Sequence, residues 1–347
     1  MRRDPLVTLP PPLQAARRGG EARWLMGVDG GATKTLAAVL DVQERRLHLG
    51  HGASSNADAV GPRAATESLL RATDEALDRG GVSPEQLDAA VLAVAGTDTD
   101  AVDRHVKAAR PPAWIVVNDV IGAWAAATSA RPGVGTISGT GSNVFGVGPD
   151  ARCWRAGGWG HVLGDEGSGY WLAARSLRAA LADRDGSGPP TALSRAALDF
   201  FSVASVEELA RLVYARPLSK GEIAAFAVQT ARVAHAGDAV AVALYERAAR
   251  ELGAQVLAVI ERTGLRGRFP LGLIGSAFKA GAVFVEPLAR IVRERAPQVD
   301  VAVVETPPVG GCLQLAARAA GCELALEDEE LRALLEQSLA REGAFRE

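Results

Sequence analysis

Cysteine is scarce in this chain. Three residues in 347, Cys153, Cys312 and Cys322, stand far apart with no CxxC pairing. That argues for a reducing compartment, and against a disulfide scaffold or a cysteine-built metal site. Net charge is nearly absent as well: a value of −3 gives no reason to expect nucleic acid or an acidic membrane surface as a partner. No apolar run approaches the roughly 20 residues that cross a bilayer. No GxxxxGK[ST] loop and no GxGxxG opening a helix occurs, which disfavours the P-loop and dinucleotide-binding folds. Lysine is rare too. Only Lys34, Lys107, Lys220 and Lys279 appear among 38 basic residues, so a lysine retained in an arginine-preferring chain attracts notice.

What is present is a length sufficient for two domains with cores of their own, and the apolar and charged content of an ordinary globular protein. The first 23 residues are rich in Pro and Arg but lack the apolar stretch of a signal peptide. They read as a flexible leader, or as sequence upstream of a start at Met26.

From Trp24 the pattern is strand, glycine turn, strand (Thr35–Asp41) and a third strand (Arg46–Ala53). A helix is expected near Pro62–Arg79 from its apolar spacing. Leu87–Gly96 and Trp114–Asp119 are short continuous apolar runs of the kind that form buried strands. The pattern then restarts: Gly133–Pro149 is again strand, glycine turn, strand, with ARCWRAGG as a third. A mostly helical region runs from Gly167 to about Gly264, followed by a strand and glycine turn at Arg268–Gly281, a strand at Val299–Glu305 and a helix from PPVGG. Two halves opening alike suggest an internal duplication. The expected organisation is a leader over 1–23, an α/β domain over 24–131, a second over 132–322 with a helical insertion near 167–264, and a helical tail over 323–347.

Several stretches carry chemistry. In DGGATKT, Gly30 and Gly31 let backbone N–H groups face a phosphate, and Thr33, Lys34 and Thr35 add donors and charge. Asp29 would repel a phosphate unless a cation such as Mg²⁺ stood between them; an ordinary hairpin turn is the plainer alternative. SGTGSN, with Ser138, Gly139, Thr140 and Gly141, occupies the matching place in the second half. Asp119 ends a buried strand at a helix start and fits either an N-cap or a general base in an interdomain cleft. The loop GGWGHVLGDEGSGYW, from Gly157 and Gly158 to Asp165 and Ser168, has too many glycines to serve a core and is suited to wrapping a ligand. Asp165 there could accept paired hydroxyls of a sugar or cap the following helix. A lone loop His161 is more simply structural, and Trp159 is open between core and ring stacking. Gly275, Ser276 and Ala277 would let a flat base lie against backbone, with Lys279 nearby, or make a plain turn. Asn56, after the third strand, could reach a substrate.

Taken together, GVDGGATKT, ISGTGSN and LIGSAFKAG resemble the phosphate-1, phosphate-2 and adenosine motifs of the actin-like superfamily of sugar kinases and ATPases. GGWGHVLGDEGSGYW is similar to the segment typical of N-acetylglucosamine kinases and the BadF/BcrA-type ATPases. The resemblance spans roughly residues 24–322. It implies a two-domain actin-like (duplicated ribonuclease H-like) α/β fold with an interdomain cleft. It further implies Asp119 as the base and Asn56, Gly141, Gly158 and Asp165 at a sugar. Gly30, Gly31, Thr33, Lys34 and Ser138–Gly141 would serve the phosphates of ATP, Gly275–Ala277 the adenine, and Asp29 a Mg²⁺ ion through water. The implied reaction moves the γ-phosphoryl of ATP to a hydroxyl, O6, of N-acetylglucosamine or glucosamine, in a cytoplasmic homodimer. The alternative is an ATPase activating a partner enzyme. The cysteine-rich zinc loop of ROK-type kinases is missing, and neither the cysteine placement nor the short leader suits an iron–sulfur activator or a DNA-binding regulator.

Overall fold

The computed structural model describes residues 8–14, 21–96, 99–215, 218–324 and 326–341. The helix α1 (Pro11–Gln14) comes first, and the three-stranded meander β1 (Trp24–Gly30), β2 (Thr35–Asp41) and β3 (Arg46–Gly52) follows. Next come α2 (Ala57–Val60), α3 (Pro62–Gly80), β4 (Ala89–Val94), α4 (Thr99–Ala109), β5 (Trp114–Asn118) and α5 (Asp119–Thr128). A second meander is formed by β6 (Gly133–Ser138), β7 (Ser142–Val147) and β8 (Cys153–Gly157). The helical stretch comprises α6 (Gly169–Asp185), α7 (Leu193–Phe201), α8 (Val206–Ala215), α9 (Lys220–Ala225), α10 (Ala227–His235) and α11 (Ala239–Thr263). Then come β9 (Pro270–Ile274), a 3-10 turn (Ser276–Ala280), α12 (Ala282–Arg293), β10 (Asp300–Val303), α13 (Pro308–Ala319) and α14 (Asp328–Arg341).

Each half builds a five-stranded sheet of the same plan. The first has the order β3-β2-β1-β4-β5 and the second, read from its meander, β8-β7-β6-β9-β10. In the first, β1 pairs antiparallel with β2 and parallel with β4, and β4 runs parallel to β5. The duplicated α/β architecture expected from the repeated strand-turn-strand pattern is therefore present. All six residues of β4, AAVLAV, are buried, as a strand covered on both faces requires.

By internal packing the chain divides into two compact units, 1–135 with 145–154 and 304–347, and 136–144 with 155–303. The first unit is closed by α13. Its run PVGGC brings backbone against backbone: a Cβ on Gly311 would stand 2.2 Å from the Gly122 carbonyl oxygen of α5, and one on Gly27 of β1 would stand 2.7 Å from Val309 O and Leu313 N. Only glycine allows such an approach. On the other face of the sheet, α3 starts at a proline and ends at Gly81 in the left-handed conformation, and it buries Leu69, Ala72, Ala76 and Leu77 with Met26, Val28, Leu92 and Trp114.

Of the leader expected to be flexible, residues 1–7 and 15–20 lie outside the described residues. Residues 8–14 are ordered against the first unit, and Leu9 and Leu13 have no exposed surface. Burying two leucines contributes about 1.5–3 kcal/mol apiece, enough to hold a short proline-initiated turn in place.

Candidate functional site

In the first unit β1, β4 and β5 are parallel, so their carboxyl ends share one edge of the sheet, where ligands bind in open α/β sheets. Asp29 pairs with Ala93, and Val94 with Asn118. Cross-links between the loops then fix that edge. Ala95 N donates to Gly30 O at 2.8 Å, Ser55 N to Gly31 O at 3.1 Å, and Asn118 Nδ2 to Gly96 O at 3.0 Å. A Cβ on Gly96 would lie 3.1 Å from Asn56 Oδ1. Asp29, Asn56 and Asp119, three residues singled out from separate stretches, thus come to the same edge.

Their local roles differ. The cap of α5 is Asn118, whose side chain accepts from Val120 N at 3.2 Å; Asp119 is the first helical residue and half-buried. The capping alternative for Asp119 therefore falls to its neighbour. Asn56 caps α2, accepting from Asp58 N at 3.0 Å, while its amide nitrogen is available for other partners. In the first glycine turn, Gly31 N donates to Lys34 O at 3.0 Å, and Ala32, Thr33 and Lys34 face solvent. Thr35 does not supply a donor to that face. It is buried, and its hydroxyl bonds Ala53 O at 2.7 Å and Ser55 Oγ at 3.0 Å.

Burial raises the Asp29 carboxyl to about 6, with Lys34 opposing the shift in part. A raised carboxyl keeps its proton as the pH rises past 4, so this group is destabilising once ionised and seeks a cation above about pH 6. Such a lone carboxylate suits Mg²⁺, which keeps most of its waters and is otherwise held by phosphate oxygens. No group of three or more His, Cys, Asp and Glu side chains able to cage a metal occurs among the described residues.

The second unit carries the second turn. Gly139 N donates to Gly141 O at 2.9 Å, and Gly169 N to Gly139 O at 2.8 Å, tying the turn to the start of α6. Thr140 is exposed and Gly139 half-exposed. Ser138 is fully buried and its hydroxyl is donated to Gly167 O at 2.8 Å, so it fastens the loop instead of facing a ligand. The loop after β9 is pressed against this turn: at Gly275, with φ +119°, a Cβ would stand 2.3 Å from Ser138 O. Beside the junction lies a cavity of ≈ 330 Å³, bordered by Gly139, Thr140, Tyr245, Ser276, Ala277 and Lys279. Apart from these few polar groups its wall is alanine, valine and glycine, as a flat aromatic ring requires.

The glycine-rich loop after β8 closes on the same turn. Asp165, at φ +61° and almost fully buried, accepts from Ser142 N at 3.2 Å, while Ser168 caps α6 by accepting from Trp171 N at 3.1 Å. Capping thus belongs to Ser168 and leaves Asp165 another purpose. Trp159 is not in the core; it is 67% exposed, and the Arg155 guanidinium lies 4.8 Å from its ring centre. His161 packs edge-on to Tyr170 at 4.9 Å.

Three residues unmarked in the motifs join the site. Asn143 Nδ2 would lie 2.6 Å from a Cβ on Gly158, and its buried Oδ1 has no hydrogen-bond partner. Gln255 of α11 holds Glu166 at 3.0 Å. Lys220 of α9 pairs with Asp165 at 2.6 Å. Asn143 stood in the SGTGSN run and could have been found there; Gln255 and Lys220 come from remote helices without a local signature.

The chain is similar to known proteins over most of its length. A curated N-acetylmuramic acid/N-acetylglucosamine kinase of Clostridium acetobutylicum is 32% identical over 251 residues, covering 71% of this chain and 82% of the relative. An N-acetyl-D-glucosamine kinase of Dictyostelium discoideum is 26% identical over 313 residues, covering 84% and 97%. A solved structure from Chromobacterium violaceum, proposed to be an N-acetylglucosamine kinase, superposes with a TM-score of 0.68 at 25% identity, covering 85% of this chain and 99% of that one. The profile of one family matches residues 26–313, which takes in both glycine turns, Asp119, the 157–168 loop and the cavity wall. The chain belongs to the BadF/BadG/BcrA/BcrD ATPase family.

Proposed function

We propose that this protein is an ATP-dependent sugar kinase that phosphorylates an amino sugar, N-acetylglucosamine or glucosamine, at O6. The observation that carries it is Asp119: a carboxylate at the carboxyl end of the parallel strands β1, β4 and β5, one residue after the helix cap Asn118. The N-acetylmuramic acid/N-acetylglucosamine kinase and the N-acetyl-D-glucosamine kinase that share sequence with most of the chain support an amino sugar as substrate.

In this mechanism Asp119 accepts the proton of the sugar hydroxyl as its oxygen attacks the γ-phosphorus; the bond from that phosphorus to the bridging oxygen breaks and ADP departs. Asn56 and Asp165 orient the sugar through its other hydroxyls. Backbone N–H groups of the turns at Gly30–Lys34 and Gly139–Gly141 take phosphate oxygens, and the cavity beside Ser276 and Ala277 takes adenosine. Mg²⁺, when bound through water at Asp29, would neutralise phosphate charge. A cytoplasmic homodimer belongs to the same proposal, on the family resemblance alone; among the described residues no helix is long and apolar enough to cross a membrane.

A coupled ADP-release assay with Mg²⁺ and a panel of glucosamine, N-acetylglucosamine, N-acetylmannosamine, N-acetylmuramic acid and glucose tests this. ADP release should require sugar and be fastest with an amino sugar. Release that no sugar stimulates would reject the proposal and favour an ATPase serving a partner.

A further inference from the structure

Lys220 has no place in the motifs, yet the fold carries it to the second glycine turn. Its ammonium lies 2.6 Å from Asp165 Oδ2, and a Cβ placed on Gly141 would meet Lys220 Nζ at 2.9 Å and both Asp165 oxygens at 3.1 Å. The pair therefore lies directly against the Cα of the turn. The next residue, Gly221, borders the ≈ 330 Å³ cavity together with Gly139 and Thr140. Asp165 is 4% exposed at its side chain and Lys220 32%, and an ammonium carries three N–H donors, of which the bond to Asp165 Oδ2 uses one.

Charge makes this arrangement telling. The turn SGTGSN contains no cation of its own. A polyphosphate on it would meet the Asp165 carboxylate, as one on the first turn meets Asp29. The first turn has Lys34 and a carboxylate fit for a metal ion. The second has an ammonium already seated on its carboxylate.

Resting on the nucleotide assignment above, the geometry points to Lys220 as a ligand of the nucleotide's phosphate tail, parked on Asp165 and shielding the phosphates from that carboxylate. Its three N–H donors can serve Asp165 and a phosphate oxygen together. Arginine could not replace it closely, since a planar guanidinium is too broad for a site pressed against the Gly141 backbone.

Titration calorimetry with ATP, ADP and adenosine, without sugar, separates this role from a structural one. Lys220→Met should weaken ATP and ADP by about 10- to 100-fold while adenosine stays within about twofold. Lys220→Arg should recover only part of the loss. Because Lys220→Met leaves a buried carboxylate unpaired, the double variant Lys220→Met/Asp165→Asn guards against misfolding; with the repelling carboxylate gone it should show a smaller loss that still falls on ATP and ADP and spares adenosine. Equal weakening of adenosine and ATP, or no change in either, overturns the inference. The kinase assignment is judged separately by sugar-stimulated ADP release from the wild type. Wild-type turnover with sugar but unchanged ATP affinity in the variants removes Lys220 alone. Selective loss of ATP affinity without sugar-stimulated turnover removes the kinase assignment and leaves Lys220.

Discussion

The two glycine turns share a plan and differ in where their charge comes from. The turn at Asp29–Thr35 contains its own carboxylate, Asp29, and its own lysine, Lys34. The turn at Ser138–Ser142 is neutral, and its carboxylate and ammonium arrive from Asp165 and Lys220, the latter 55 residues further along the chain. The two sheets share a strand order, which fixes the backbone leading into each turn, while the charges beside each turn come from different places. A turn's chemistry is thus less tightly bound to its sheet than its shape is.

That contrast can be pressed hardest at Asp119, which has no counterpart assigned in the second half. Asp119→Asn should lower kcat by about 10²–10⁴-fold, the usual worth of a general base, with ATP affinity unchanged. Turnover within tenfold of wild type in the ADP-release assay would remove the base assignment. Next in size is the glycine packing of the second turn. Gly275→Ala, at a left-handed φ and against Ser138 O, should cost about 2–4 kcal/mol and abolish adenosine binding, seen by calorimetric unfolding and titration. Gly139→Ala, where a Cβ meets nothing within 4 Å, should cost no more than about 1 kcal/mol; equal effects would show that the close approach is not the constraint.

The first turn should respond to pH. Because Asp29 is held near 6, Mg²⁺-nucleotide affinity should rise between pH 5 and 7.5, and Asp29→Asn should flatten that rise. The same variant should stabilise the ligand-free chain at pH 7.5 by about 1–3 kcal/mol, because the penalty of ionising a buried carboxyl is gone. A fall in stability there would contradict the shift. Smallest is Ser138→Ala, expected to cost about 1 kcal/mol through its bond to Gly167 with ATP affinity intact. A large loss of ATP affinity would return Ser138 to the ligand.

Much of this was legible in the sequence where local chemistry decides. Continuous apolar runs such as AAVLAV become buried strands because both faces are covered, and the DGG and SGTG runs become turns because their glycines permit nothing stiffer. Asp29, Asn56 and Asp119 could be named because each ends a readable strand or follows one. Legibility failed where distant segments meet. Lys220 joins Asp165 by tertiary packing, and only the scarcity of lysine hinted at it. Thr35 and Ser138 look like ligand donors in the one-letter code, but strand alternation turns their hydroxyls inward. Leu9 and Leu13, hidden in a proline-rich leader, are buried by a surface that no local pattern announces.

The return of α13 to β1 bears on how the chain matures as it is synthesised. By residue 303 the ribosome has delivered everything the second unit needs, whereas the first still lacks the helix that seats on Gly27 and on α5. The half made first is therefore finished last. Nascent chains stalled past residue 303 and exposed to protease should yield a resistant fragment from the later half while the earlier half is still cut.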